Sequence, residues 1–403
     1  MPADLRDGHR GADREVNEAA ATDHPIVWRI VTGEYPPARG GVGDYTRIVA
    51  KGLAAHGDEV EAWTADNGEA APADEGVTVR RLPGHFGPRA LAWMSRELRA
   101  ADGARVLVQY APHAFGMKAM NLPFCFWLRR QAARGVKLDV MFHEAYFPFL
   151  PGQPQRYRAL AAATSVMARL AAGAARRVFI ATPAWAPHLK PWMRTDGEII
   201  WTPVPSNIDV CQNREKIADA RRRYAHGENL IAGHFGTCGG EIGRALDRVM
   251  PFLLSSRAGV SVLMIGGDGV KWRDAFIAKY PEFAERVVAT GVLGAAETSC
   301  AISACDVMIQ PYPDGVTTRR GSLIATLAHG RAIVTTAGAL TEPLWNESRA
   351  VDMTPVADID ALGAAAGALL DDAGHRERMG QAAAALYRDR FDSRHTIAAL
   401  RTL

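Results

Sequence analysis

No stretch of this chain stays apolar for the roughly 20 uninterrupted residues that a bilayer-crossing helix requires, so no membrane-spanning segment is expected. Cysteine is sparse. Cys125, Cys211, Cys238, Cys300 and Cys305 are odd in number and show no close-spaced metal pattern, which argues against a disulfide framework and against a zinc site. Cys300 and Cys305 lie in an Ala-rich stretch and read as reduced packing residues. A surplus of either charge is missing too: 47 Lys and Arg stand against 44 Asp and Glu, with no basic tract longer than triplets such as Arg221-Arg222-Arg223. That balance speaks against a nucleic acid polymer as partner and leaves room for a small anion in a local basic cleft. Residues 1–24 lack the apolar centre of a secretory signal. Polar, Ala-rich and acidic, they are expected to be a disordered lead-in to a cytoplasmic protein.

What the chain does have is length and apolar content: 403 residues, 48% of them apolar, exceed what one core usually organises, so two domains are expected. Order should begin with a strand at Ile26-Val27-Trp28-Arg29-Ile30-Val31, followed past a glycine-rich turn by a helix that aligns Tyr45, Ile48, Val49 and Leu53 on one face. Further strands are read at 60–63, 77–82, 106–110, 138–142 and 177–180, with helices at about 88–99, 117–133 and 153–172. Such alternation implies right-handed crossovers and a mostly parallel sheet covered on both faces. The prolines of Trp201-Thr202-Pro203-Val204-Pro205-Ser206-Asn207 interrupt it, and this stretch with the charged segment 213–228 reads as a linker. The pattern restarts with strands at 230–235, 260–265, 287–289, 307–310 and 332–334, a long helix ending near His329, and Ala-rich helices from about 359 to 387. The expected division is 25–205, 206–385 and a terminal helix in 386–403 packing back on the first domain. The fold class is therefore α/β, with two facing Rossmann-like parallel-sheet domains. Ligands of such sheets lie beyond the strand C-termini, so the site is expected in an interdomain cleft.

Several motifs fall at those strand ends. Gly40-Gly41-Val42-Gly43 sits between a strand and a helix, where glycine permits close backbone approach and the helix start offers N–H donors to an anion; a tight turn without a ligand is the plainer alternative. Its spacing is not the dinucleotide fingerprint. Gly236-Thr237-Cys238-Gly239-Gly240 opens the second domain in the same way, without the Gly-Lys-Ser/Thr ending of a P-loop. The richest constellation runs from Asp314 through Arg319, Arg320, Gly321, Ser322 and Leu323: a carboxylate, two guanidinium groups, hydroxyls and a helix start converge on one strand end. The alternative there is a solvated Arg pair with Ser322 as a cap. His143 follows a buried-looking strand with Glu144 beside it, and His113 holds a similar position after Tyr110. Neighbours on a strand point to opposite faces, so His143 and Glu144 are expected not to act on the same atom if the strand geometry persists beyond Phe142. Gly266-Gly267-Asp268-Gly269 and the pair Val292-Leu293 read as further loops beside a ligand, or as a turn and a core pair. Tyr146, Phe147 and Phe149 suit carbohydrate stacking or an apolar aglycone.

Taken in order from about residue 26 onward, these pieces resemble the retaining glycosyltransferases of family GT4, which have the GT-B fold. The resemblance is carried by Glu34-Tyr35-Pro36-Pro37 through Gly43-Asp44-Tyr45, by Phe142-His143-Glu144, by Ile265-Gly266-Gly267-Asp268-Gly269, by Thr290-Gly291-Val292-Leu293 and by Ala328-His329-Gly330. It implies Gly40, Gly41 and Gly43 near the donor phosphates and acceptor, with His143 at the transferred sugar. It also implies backbone donors at Gly236 and Thr237, and Gly267, Val292 and Leu293 near the base or ribose. Acceptor-side candidates are Glu34, Tyr35, His113, Glu144 and Tyr146. The family commonly has two glutamates eight positions apart, where counting back from Gly330 finds Thr317 and Ala325. Asp314 is expected to replace the first, and Arg319 or Arg320 to supply the phosphate charge, with Arg320 the nearer.

The activity so implied is transfer, with retention, from a nucleotide-activated sugar to a hydroxyl of a small-molecule, glycan or lipid-linked acceptor, without a metal or other cofactor. A lipid acceptor would bring the protein to a membrane surface, and a homo-oligomer is compatible with all of this. The rivals are a GT-B sugar phosphorylase or nucleotide-sugar epimerase, and a noncatalytic nucleotide-sugar-binding module motivated by Thr317 and Ala325.

Overall fold

The computed structural model describes residues 24–402 apart from Arg39 and Asp102; the expected lead-in lies, but for His24, outside the described residues. A first sheet is built from β1 (Val27–Thr32), β2 (Glu59–Ala65), β3 (Val77–Leu82), β4 (Arg105–Tyr110), β5 (Lys137–Phe142), β6 (Arg177–Ile180) and β7 (Glu198–Trp201). Their order is β3-β2-β1-β4-β5-β6-β7 and every pairing is parallel. The central strands are apolar on both faces because both are covered. Trp28, Ile30, Leu107 and Met141 meet Tyr45, Val49 and Leu53 of α1 (Gly41–Ala55), while Val31, Val106, Val108 and Val140 pack with α2 (Pro88–Ala100), α3 (Leu122–Ala133) and α4 (Gln155–Ala174) on the other side.

The second sheet holds β8 (Leu230–Phe235), β9 (Val260–Ile265), β10 (Val287–Ala289), β11 (Val307–Gln310), β12 (Ala332–Ala337) and β13 (Asp352–Pro355), again parallel throughout, in the order β10-β9-β8-β11-β12-β13. Both sheets reverse strand order beside their first strand, and the crevice at such a switch point is where ligands sit.

The structure differs from the sequence reading at five places. Strands β7 and β13 were not expected; both are four-residue edge strands with half-exposed side chains and so carry little apolar signal. The charged segment 213–228 is not simply linker: Arg214–Tyr224 is a helix, capped by Asn213 and anchored by the buried Tyr224 and the 2.9 Å Arg221–Asp306 ion pair. The helix expected from 117 starts only at Leu122, since Met117, Lys118 and Ala119 have positive φ and Asn121 caps the Phe124 amide. The helix before His329 is short, Gly321–Ala328.

The chain ends these elements by crossing back. Helix Ser393–Arg401 places Ile397 and Leu400 in the core that contains Trp28 and Leu53. The carbonyls at its C-terminus, Ala399, Leu400 and Thr402, accept from Arg177, and Arg105 also donates to Leu400. Buried Asp58 pairs with Arg401 and accepts from the Ile26 amide and the Trp28 indole.

Candidate active site

The strand C-termini of the two sheets face each other across a cleft of about 630 Å3. The first domain contributes Glu34, Gly40, Gly41, His113, His143 and Glu144, and the second contributes Phe235, Arg319, Gly321 and Ser322.

His143 is fixed by the end of β5. Its amide donates to the Tyr110 carbonyl at 2.9 Å, its Nε2 lies 2.7 Å from Gln109 Oε1, and the Tyr45 ring meets it edge-on at 4.7 Å. Burial pushes its pKa down to about 4 against the opposing pull of Glu144, so the ring is neutral near pH 7. With Nε2–H donating to Gln109, Nδ1 is left as an acceptor for a hydroxyl. Strand geometry stops at Phe142, so the opposite-face condition does not apply, and His143 and Glu144 both line the cleft. Glu144 Oε2 in turn lies 3.3 Å from His113 Nδ1. The hydrogen bond between them raises the His113 pKa and lowers that of Glu144.

The glycine turn of the first domain is arranged differently from the expectation. Glu34 Oε1 accepts from the amides of both Val42 and Gly43 at 3.1 Å, so the chain's own carboxylate holds the donors assigned to a phosphate. A Cβ on Gly40 would lie 2.2 Å from that carboxylate oxygen and would push the Glu34 side chain aside, whereas Gly41 has open space around it. Tyr35 does not line the cleft: it is fully buried and donates to Asp74 at 3.3 Å, behind the Arg47–Asp74 ion pair.

From the second domain, Arg319 reaches the cleft and Arg320 does not line it. Arg320 lies over the Tyr312 ring at 4.8 Å and pairs with Asp314 at 3.3 Å. Arg320, expected to be the nearer to the phosphate, is thus outside the cleft lining, since a short turn into helix Gly321–Ala328 sends adjacent side chains in different directions. Burial lowers the Arg319 pKa, with Arg320 adding repulsion and Glu144, Asp314 and Glu342 opposing it. Such a desolvated guanidinium favours an incoming anion. Ser322, at the helix start, is oriented by the Tyr312 hydroxyl at 2.9 Å, and Leu323 is buried in the core.

Asp314 is absent from the cleft lining. It lines an adjoining cavity of about 690 Å3, together with Tyr146, Phe147, Leu150, Trp185 and His188; His113, Glu144 and Arg319 border both spaces. Thr317 is buried with its hydroxyl unpartnered among the described residues, and Ala325 is in the core, so neither position presents a carboxylate. At the ends of β8, β9 and β10 the glycine turns stack on one another. A Cβ on Gly266 (φ 128°) would lie 3.1 Å from the Gly236 carbonyl, and one on Gly267 would lie 3.2 Å from Val292. Val292 is 66% exposed on this rim, Thr237 is exposed beside it, and Leu293 packs inward; none of them lines the 630 Å3 cleft.

Sequence reasoning missed Glu342. Buried at the start of helix Pro343–Ser348, its carboxylate accepts from the Thr318 amide at 3.1 and 3.2 Å, the Thr318 hydroxyl at 2.9 Å, the Trp345 indole at 2.8 Å and, across the domain boundary, the Thr182 hydroxyl at 2.8 Å. The Thr318 hydroxyl also lies 2.6 Å from the Ala181 carbonyl, so its single proton is shared between that oxygen and Glu342, and the Thr318 carbonyl accepts from the Val204 amide at 3.2 Å. A knot between the domains thus stands directly behind Arg319. The only local signal was a Glu before a helix-starting Pro, with Trp three positions on. Gln109 was missed as well, its partner being 34 positions away.

Two parallel sheets meeting at such a cleft are the arrangement of the GT-B fold. Residues 40–199 match the family model described as a Glycosyl transferase 4-like domain. The chain's fold is similar to that of sucrose-phosphate synthase from Thermosynechococcus elongatus, with 16% identity over 94% of this chain and 97% of that one and a TM-score of 0.69. WaaG, a glycosyltransferase involved in lipopolysaccharide biosynthesis, aligns at 14% identity over 94% and 100% of the two chains, TM-score 0.66. Anabaena HepE in complex with UDP and glucose aligns at 15% over 93% and 98%, TM-score 0.66. No curated protein matches the sequence.

Proposed function

We propose that the chain transfers a sugar from a nucleotide-sugar donor to an acceptor hydroxyl with retention at the anomeric carbon, the donor being a substrate and no resident cofactor taking part. The observation that carries this reading is the juxtaposition of Arg319 and the start of helix Gly321–Ala328 with His143, His113 and Glu144 across one cleft. The solved structures of HepE with UDP and with UDP-glucose support a nucleotide sugar as donor.

In this mechanism the donor diphosphate lies against Arg319 and the helix start, which offset the charge that grows as the bond from the anomeric carbon to phosphate oxygen breaks. Neutral His143 accepts a sugar hydroxyl at Nδ1 and sets the ring relative to the leaving group. The acceptor hydroxyl attacks from the face that the diphosphate leaves, and a departing phosphate oxygen takes its proton. The adjoining cavity with Tyr146 and Trp185 holds the acceptor, and Glu144, tied to His113, borders both spaces.

Thermal-shift screening against nucleotide sugars, then mass spectrometry and anomeric NMR of the products with candidate acceptors, tests the reading. A new glycoside of the donor's anomeric configuration is expected. Donor binding without transfer or hydrolysis at any acceptor would favour the noncatalytic module that Thr317 and Ala325 suggest, and turnover without an acceptor would favour an epimerase or phosphorylase.

A further inference from the structure

The small net charge of the whole chain conceals a local imbalance. Apart from Arg105 and Arg177, which are buried against the C-terminal helix, and Arg194, which pairs with Asp196 at 3.0 Å, residues 103–195 contain ten Lys and Arg but two acidic residues, Asp139 and Glu144. Both are engaged, Asp139 by Arg177 at 2.6 Å and Glu144 by His113. Of the thirteen large apolar side chains exposed among the described residues, nine fall in this same segment, including Phe126, Phe149, Leu150, Val166 and Trp192. Direct contacts link several of the basic and aromatic side chains of this segment. Arg169 of α4 lies over Trp192 at 4.5 Å, Arg129 of α3 donates to the Gly173 carbonyl of α4 at 2.9 Å, and Arg156 lies over Tyr157, which stacks on Phe147 at 6.0 Å. Phe147 and Leu150 also line the 690 Å3 cavity.

Exposed cations would suit any polyanion. The interleaved aromatic and aliphatic side chains decide between partners, because a nucleic acid backbone leaves Phe126, Phe149 and Leu150 in water whereas the headgroup layer of a bilayer accepts both kinds of group. We propose that the α3–α4 face and loop 146–150 dock on an anionic lipid bilayer, which sets the mouth of the second cavity at headgroup level and selects a membrane-anchored acceptor. The choice of acceptor rests on the glycosyltransferase reading; the docking does not.

The test is co-sedimentation of the full chain with phosphatidylcholine vesicles and with vesicles containing about a third phosphatidylglycerol, at low and high salt. Binding is expected to the anionic vesicles alone and to weaken with salt. The triple variant R156E/R158E/R169E should lower it by about tenfold or more, F149S/L150S should weaken it at both salt levels, and R222E/R223E/R244E on the second domain should leave it unchanged. Unaltered circular-dichroism melts and donor thermal shifts in the same variants keep folding and donor binding separate from docking. Equal binding to both vesicle types, or an equal loss in the second-domain variant, would overturn the proposal. So would retention on RNA or heparin without vesicle binding, which would assign the face to a soluble polyanion.

Discussion

At the scale of single residues, the proposed mechanism makes Arg319 the side chain on which donor binding turns. Losing one charge-assisted phosphate contact costs about 2–3 kcal/mol, so Arg319→Ala should lower kcat/KM on the order of 100-fold, with a much smaller effect from Arg320→Ala; steady-state kinetics on the two variants checks this. His143 carries a pH signature. An imidazole in the unfolded chain titrates near 6.5 and in the folded one at about 4. Between those values the unfolded chain binds more protons, so the His143 contribution to stability is complete above about pH 6.5 and is lost as pH falls toward 4. His113, raised by Glu144, acts in the other sense: its contribution is present at low pH and fades as pH rises through its folded pKa. Urea melts across pH 4–8 should show His143→Gln less acid-sensitive than the parent. The sequence marked His143 and the Arg pair because each follows an apolar strand. It could not say which arginine enters the cleft, since that depends on the turn at 317–320, nor that Gln109 and Glu342 matter, since their partners are distant in the chain.

At the scale of elements, the loop 314–320 owes its position to a carboxylate and not to apolar packing. Glu342→Ala strands the Thr318 amide, the Thr182 hydroxyl and the Trp345 indole away from water, at about 1–3 kcal/mol for each unsatisfied group. Loss of at least ~3 kcal/mol of stability is expected in urea melts, together with a raised donor KM as Arg319 loses its backing. Glu342→Gln should restore part of both. The buried strands were legible because covering on both faces makes continuous apolar runs, as in Val260–Ile265. The edge strands β7 and β13 and the late start of α3 escaped because they depend on one-sided pairing, capping and positive-φ turns.

At the scale of the whole molecule, alternation alone was enough to indicate two parallel-sheet domains, while summing charge over all residues hid the basic, apolar face of the first. Both domains share one long-range dependence, the return of the chain after residue 392. Deleting 393–403 should expose the partners of Ile397 and Leu400 and leave Asp58 without its ion pair, at several kcal/mol. Calorimetry should then show the first domain melting well below its value in the intact chain, with the second little changed. The same return constrains synthesis. Residues 393–401 are translated only after every strand of the second sheet, so the first domain to emerge waits for the last helix to close its underside. Throughout that interval a nascent Rossmann-like half stays unsealed, and translation rate through the second half sets how long it needs shelter from aggregation.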